Sequence, residues 1–312
     1  MSQRVLVTGG TGFVGRHCLP RLLELGYEVH ATTSQSSQPG SGPVRWHRID
    51  LLDLAGVPGL LSRVRPTHLL HLAWYAVPGK YAESPHNFQW VGASLELLRQ
   101  FHAHGGQRVV MAGSSFEYDW TYGFCSELVT PRVPTTVYGT CKTLMFNLLD
   151  AYSKTTSLSA AWARLFFLYG PYEHPGRLIS SVICSLLRGE PARCSPGTQV
   201  RDYMHVQDVA DALVAIMHSN AEGPVNVASG SYGPIKDMIR RIGQKLDREE
   251  LVQLGALPSR PNDVPLLIAD TSRLFNEVAW RPRYDLEHGL GQTIEWWKDE
   301  LAGDRKAIGG GS

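Results

Sequence analysis

Two stretches of this 312-residue chain hold residues whose types and spacing could do chemistry together. In VYGTCK, Tyr138 and Lys142 stand at i and i+4, so on a helix both side chains share one face. A free phenol titrates near pH 10, too high for ready proton exchange at neutrality, and an ammonium beside it favours the phenolate. Near the start, TGGTGFVG runs from Thr8 to Gly15. Its Gly9 permits a tight turn, Gly12 lets backbone approach a pyrophosphate, and Gly15 lets helix pack on strand, with the helix N-terminus facing the anion. Thr11, Phe13 and Val14 complete the loop as cofactor contacts. At the end of VVMAGSS, Ser114 and Ser115 offer a hydroxyl that would polarise a reacting carbonyl. The combined chemistry is hydride transfer from a dinucleotide, with tyrosine handling the proton.

The elements that must position these groups follow from periodicity. RVLVT (4–8), YEVHATT (27–33), VRWHRID (44–50), THLLHLA (67–73) and RVVMAGSS (108–115) read as strands. Helical spacing appears over 13–25, with Gly26 as a C-terminal cap, near 54–63 and over 88–104. Strand alternating with helix predicts an α/β fold, a Rossmann-like doubly wound parallel sheet. A further strand is expected over 160–168, after which Pro-, Gly- and Arg-containing segments alternate with helices at 208–220, 233–246 and 286–301. The expected organisation is a dinucleotide-binding domain over 1–165. A smaller substrate-binding lobe covers 166–305, with excursions back to the core, and 306–312 forms a flexible tail.

Composition narrows the class. Thirty basic and 29 acidic residues leave a net charge of +1, which favours neither nucleic acid nor a membrane surface as partner. Five scattered cysteines show no Cys-x-x-Cys spacing, so free thiols in a cytoplasmic protein are expected and no metal is proposed. No apolar run reaches the length of a membrane span.

The second strand of a dinucleotide fold commonly ends in an acid that binds the adenosine ribose. Here Ala31, Thr32, Thr33 and Ser34 supply no carboxylate. An acid would repel a 2′-phosphate, so NADP(H) is preferred and NAD(H) stays possible. Arg16 is the candidate for that phosphate, the alternative being a solvated first-turn arginine. Asp50 and Leu51 would edge the adenine, and Leu72 and Ala73 would run beside the cofactor.

With these residues in view, the chain resembles an extended short-chain dehydrogenase/reductase of the NAD-dependent epimerase/dehydratase family, from about residue 4 to 300. TGGTGFVG, HLAW, the Ser114/Tyr138/Lys142 set, LYGP (168–171), RDYMHVQDVADA (201–212) and RPND (260–263) carry the resemblance. In this family a hydroxyl lies four residues before a tyrosine, which selects Ser114 before Tyr118 and leaves Ser115 as the shifted alternative. The 4,6-dehydratases place two carboxylates just after that hydroxyl, where this chain has Ser115 and Phe116. Glu117 would take such a role only if Ser115 were the catalytic hydroxyl.

GSSFEYD is similar to nucleotide-linked 4-keto-6-deoxysugar reductases, and the resemblance implies that activity, with a nucleotide-sugar 4-epimerase retaining NAD as the alternative. Arg201 and Arg260 match positions that clamp the nucleotide diphosphate, the alternative being arginines that brace the lobe through carboxylates such as Asp202 or Asp263. Trp74 and Tyr75 stand where a loop overlies the sugar, as substrate walls or as packing aromatics, and Phe167 replaces the family's usual asparagine. The resemblance also implies a homodimer through the tyrosine helix and the helix before it.

Overall fold

Uninterrupted apolar runs such as VLV (5–7) and LL (69–70) can be satisfied only by burial on both faces, which is the environment of a parallel sheet covered by helices. The computed structural model describes residues 3–35, 42–259 and 263–309. Its first half alternates β1 (Arg4–Thr8), α1 (Gly15–Glu24), β2 (Glu28–Thr33), β3 (Arg45–Arg48), α2 (Gly56–Val64), β4 (His68–His71), α3 (His86–Ala103) and β5 (Arg108–Ser114). A short β6 (Phe124–Cys125) precedes α4 (Val137–Lys154), β7 (Ser159–Leu165) and β8 (Phe167–Tyr169). Next come α5 (Leu178–Leu187), β9 (Ala192–Cys194), β10 (Val200–Arg201), β11 (Tyr203–His205), α6 (Val206–His218) and β12 (Gly223–Val227). The chain ends with β13 (Gly233–Pro234), α7 (Ile235–Lys245), β14 (Val252–Leu254), β15 (Leu266–Ala269), α8 (Ser272–Asn276) and α9 (Leu286–Gly309).

Seven parallel strands form the central sheet in the order β12-β7-β5-β4-β1-β2-β3. Side chains alternate across it. Val5 and Val7 pack with Cys18 and Leu22 of α1 and Leu213 of α6, while Leu6 and Leu69 pack with Leu60, Leu97 and Met145 on the other face. The winding direction reverses between β1 and β4, and a crevice opens there at the carboxyl ends of the strands. Register brings Thr8 opposite His71, and His71 opposite Met111. The turns after β1, β4 and β5 therefore share one sheet edge.

The remaining strands form a four-stranded sheet (β13-β10-β15-β6) and two pairs, β11-β8 and β14-β9. The β14-β9 pair shares a core with α5, α7 and α9 (Ile183, Ile239, Ile242, Leu290, Trp297), while β6 and β15 of the four-stranded sheet bury Cys125 and Leu267 with Tyr118 and Phe166. After the excursion past residue 166 the chain returns to the main sheet twice. β12 pairs with β7, and α6 packs against α1.

Several boundaries differ from the sequence expectation for physical reasons. The first helix begins at Gly15 rather than residue 13, because Thr11–Val14 are spent on the glycine turn. The apolar run 160–168 is two strands, not one. β7 stays in the main sheet, and from Phe167 the chain pairs with β11 instead. The final helix continues through residue 309, past the point where a flexible tail was expected to start. Among the described residues no helix is long and apolar enough to cross a membrane.

Arg108, the first residue of β5, has the look of a solvated strand end yet is buried. Its guanidinium donates to the Ser159 hydroxyl and to the carbonyls of Ile216 and Ala221, each at 2.7 Å. It thereby ties the amino end of the sheet to the end of α6. Replacing Arg108 with methionine keeps the stem but strands three partners, and urea unfolding should register a loss of about 2–4 kcal/mol. A change under ~0.5 kcal/mol, the range of ordinary surface substitutions, would contradict this role.

Candidate active site

The glycine turn after β1 is built by close approach. The Gly12 amide donates to the Gly9 carbonyl at 2.9 Å. A Cβ on Gly15 would run into that same carbonyl oxygen, so the first turn of α1 can sit on the loop only as glycine. The cradle this leaves is shaped for a pyrophosphate at a helix N-terminus. Beside it the Thr8 hydroxyl accepts from the amides of Leu72 and Ala73 at 3.1 and 3.2 Å. Its own proton therefore goes to His71 Nδ1 at 2.7 Å, and His71 Nε2 donates to Ser94 at 2.8 Å. Burial, with Lys142 nearby, pushes His71 down to about 3, so it stays neutral and fixes the 72–73 backbone next to the cradle.

The other cofactor candidates fall into place less uniformly. Thr33 is buried at the end of β2, where its hydroxyl caps the Gln35 amide at 3.1 Å. Among the described residues the end of β2 carries no carboxylate. Asp50 is exposed after β3 and Leu51 is buried behind it. Arg16 departs from the expectation that it reaches outward for a phosphate. It donates to Thr11 and Gly12 carbonyls at 2.6 and 3.3 Å and lies over the Tyr172 ring at 4.1 Å.

α4 carries the tyrosine and the lysine. Thr136 caps it by accepting from the Gly139 amide at 3.1 Å. Tyr138 stands in the first turn, with Lys142 one turn on along the same face. A Cβ on Gly139 would strike the Phe116 carbonyl, so glycine is what lets this turn press against the segment after β5. That contact places the Ser114 side chain where it favours the charged form of the Tyr138 phenol, while its hydroxyl accepts from the Phe116 amide at 3.3 Å. Ser115 instead opens a 3-10 turn, and its carbonyl accepts from Trp120 Nε1 at 2.8 Å. The structure thus brings together Ser114, Tyr138 and Lys142.

Burial pushes the Tyr138 phenol above its usual range, opposed chiefly by the Ser114 side chain. This differs from the expectation that Lys142 lowers it. The Lys142 ammonium donates to the Ala112 carbonyl at 2.8 Å and sits 3.6 Å from the centre of the Trp74 ring, against 5.8 Å to that of Tyr138. Burial pulls Lys142 down to about 7, with Glu117 opposing.

Glu117 lies beneath these groups and is fully buried. Its Oε1 accepts from the Ser114 amide and from Trp162 Nε1, both at 2.8 Å, and its Oε2 accepts from Arg164 Nε at 2.7 Å. Arg164 also reaches the Tyr118 hydroxyl at 3.0 Å, and Tyr118 donates to Asn226 on β12 at 2.7 Å. The carboxylate is therefore committed to holding the turn and has no access to the cleft. Of the substrate candidates, Phe116 packs edge-on to Tyr138 at 5.8 Å, alongside Tyr81 at 4.9 Å. Tyr75 lies against His86, the ring centres 4.9 Å apart. Arg201 is buried, with Nη2 on Asp263 at 2.5 Å and its ring neighbour Phe167 at 5.5 Å, so it braces the lobe. Arg260 lies outside the described residues. Sequence reasoning missed Tyr81, Asn87 and the support role of Arg164; only Arg164, as the first residue of RLFFLYGP, carried a readable signal.

Two outcomes follow from these charges. Glu117→Gln keeps the shape but leaves the Arg164 guanidinium buried without its counter-charge, and should cost about 3–5 kcal/mol in thermal or denaturant unfolding; an unchanged stability would show that the pair is dispensable. For Lys142 the sign is set by its depressed value. Between about 7 and its ordinary 10.5 the unfolded chain holds a proton that the folded one lacks, so stability rises with pH across that window. Wild type should gain on Lys142→Met as pH climbs from about 7 toward 10 in paired denaturant titrations, and a flat or falling difference would contradict the burial argument.

Comparison with known proteins gives a consistent picture. Residues 5–228 match the model of the NAD dependent epimerase/dehydratase family. The chain is 28% identical over 320 residues to UDP-glucuronic acid decarboxylase 1 of Xenopus tropicalis, covering 96% of this chain and 73% of that protein. Among solved structures, MoeE5 in complex with UDP-glucuronic acid and NAD superposes with a TM-score of 0.82 at 31% identity, over 96% of this chain and 100% of that one. The UDP-glucose 4-epimerase of Thermus thermophilus in complex with NAD gives 0.85 at 26% identity, over 95% and 99%.

Proposed function

Because this chain belongs to the NAD-dependent epimerase/dehydratase family, we propose that it works at C4 of a nucleotide-activated sugar, reducing a 4-keto-6-deoxyhexose. The observation that carries this reading is the commitment of Glu117 to Arg164, Trp162 and the Ser114 amide. With Phe116 as its neighbour, the turn after β5 offers the cleft no spare carboxylate. Eliminating a 6-hydroxyl needs both a base and an acid, and this turn supplies neither. Proton handling then falls to Tyr138 alone, which is what carbonyl–alcohol interconversion requires.

A bound nicotinamide would supply the hydride. Ser114 orients the carbonyl oxygen, and Tyr138, held neutral by burial, gives that oxygen its proton. Lys142 carries the positive charge that accommodates the phenolate left behind and donates to the ribose hydroxyls. Phe116, Tyr81 and Trp120 form an apolar wall near the phenol, suited to a C6 methyl. The glycine cradle fits a dinucleotide. The lack of a carboxylate at the end of β2 favours NADP(H), and that preference rests on this feature alone, since Arg16 is engaged elsewhere. The exposed Leu144 and Leu148 of α4 and Phe88 of α3 give the two helices an apolar outer face suited to a homodimer, while Phe146 and Leu149 belong to the core.

A second reading, 4-epimerisation with a retained NAD, is favoured by the NAD-bound relatives MoeE5 and the Thermus epimerase. Nucleotide analysis of denatured protein and NADPH oxidation across GDP-, CDP-, UDP- and dTDP-linked 4-keto-6-deoxysugars separate the two. Reduction predicts consumption of added NADPH; epimerisation predicts stoichiometric bound NAD and no net consumption. In either case Tyr138→Phe should lower kcat by at least ~100-fold with cofactor affinity nearly unchanged, and a fully active variant would sink both readings.

A further inference from the structure

The Lys142 ammonium is buried, yet among the described residues its one hydrogen bond goes to the Ala112 carbonyl, at 2.8 Å. An ammonium has three protons to place, and leaving a buried cation so thinly compensated is costly. The neighbouring groups do not make up the difference. Glu117, from the turn after β5, favours the charged form but accepts its hydrogen bonds from Arg164, Trp162 and the Ser114 amide and none from Lys142. Burial favours the uncharged forms of Cys141 and Tyr138 on α4 and of His71 on β4. What remains is the Trp74 ring, whose centre lies 3.6 Å from the ammonium nitrogen, the nearest of three aromatic rings around it.

That ring is itself locked. Asn87 donates both amide protons to the carbonyls of Tyr81 and Ser84, at 2.7 and 2.9 Å, so its oxygen must face outward from them. There it accepts the Trp74 indole proton at 2.8 Å. Trp90 stacks on Trp74 at 6.3 Å, and Tyr138 meets it edge-on at 6.4 Å. The same loop is fastened to α4, because the Tyr138 amide donates to the Ala82 carbonyl at 2.9 Å.

We propose that Trp74 is a positioning residue for the Tyr138/Lys142 pair: the face of its indole holds the Lys142 ammonium charged and at the depth where it meets the cofactor ribose. The inference rests on Lys142 serving the reaction read above, and it moves Trp74 from the sugar wall to the lysine. An indole face stabilises the charged form only, so its removal makes the ammonium lose its proton at lower pH.

The test is cofactor affinity against pH, measured on the full-length protein by NADPH fluorescence titration without turnover. In wild type the affinity should fall as pH rises through the Lys142 titration, and Lys142→Met should show no such step. Trp74→Leu should bring the step down by about one pH unit, while Trp74→Phe, which keeps a ring face, should stay near wild type. A second measurement covers loss of folding in Trp74→Leu. Global incorporation of fluorinated tryptophan weakens the ring face at constant shape, and should lower the step in wild type but not in Trp74→Phe. A step that stays in place in Trp74→Leu or on fluorination, or that moves as far in Trp74→Phe as in Trp74→Leu, overturns the proposal. If the step follows Trp74 but no nucleotide sugar turns over, the activity reading fails and this inference stands; turnover with an unmoved step refutes this inference alone.

Discussion

The active-site turn depends on one buried ion pair. Glu117 and Arg164 have no solvent to share their charges with, so their mutual attraction is offset by a large desolvation cost. The arrangement is tolerable because the carboxylate is saturated by an amide, an indole and a guanidinium, and because Arg164 extends the network to Tyr118 and Asn226. A group so thoroughly engaged fixes direction. Ser114 leaves β5 with its amide turned to Glu117 and its hydroxyl turned to the Phe116 amide, which fixes the turn that faces the first turn of α4. The same constraint that builds the site also removes the carboxylate that elimination would need.

Around that pair the site is a meeting of three turns at one sheet edge. The glycine turn, the 72–74 segment and the 114–117 turn are aligned because β1, β4 and β5 are in register. The electrostatics are those of a dry site. Burial raises the phenol, depresses the lysine and leaves His71 neutral. Fixed partners, rather than solvent, decide which groups carry charge.

Much of this was legible in the sequence, for a physical reason. The cofactor cradle and the tyrosine–lysine face are local: Gly9 to Gly15 and Tyr138 to Lys142 each lie within one turn of structure, so spacing alone places them. Roles that depend on partners distant in sequence were not legible. The sequence leaves Glu117 a conditional acid and Arg201 either a clamp or a brace; only the folded chain shows Arg164 on the first and Asp263 on the second. The run 160–168 reads as one strand because its apolar content is continuous; only the different neighbours of Ala161 and Phe167, β12 and β11, divide it. Arg16 illustrates the same point at short range, since its ring partner Tyr172 comes from the lobe.

The bond from Tyr118 to Asn226 joins residues separated by 108 positions. Asn226 in turn donates to the carbonyls of Cys125 and Asp270, so the turn holding Ser114 is tied to segments more than a hundred residues later in the chain. During synthesis from the N-terminus, the glycine cradle and its strands emerge long before these anchors. A nascent chain would therefore acquire a place for the dinucleotide first and the constellation that uses it last. The turn after β5 is thus left without these anchors until the chain through Asp270 has been made.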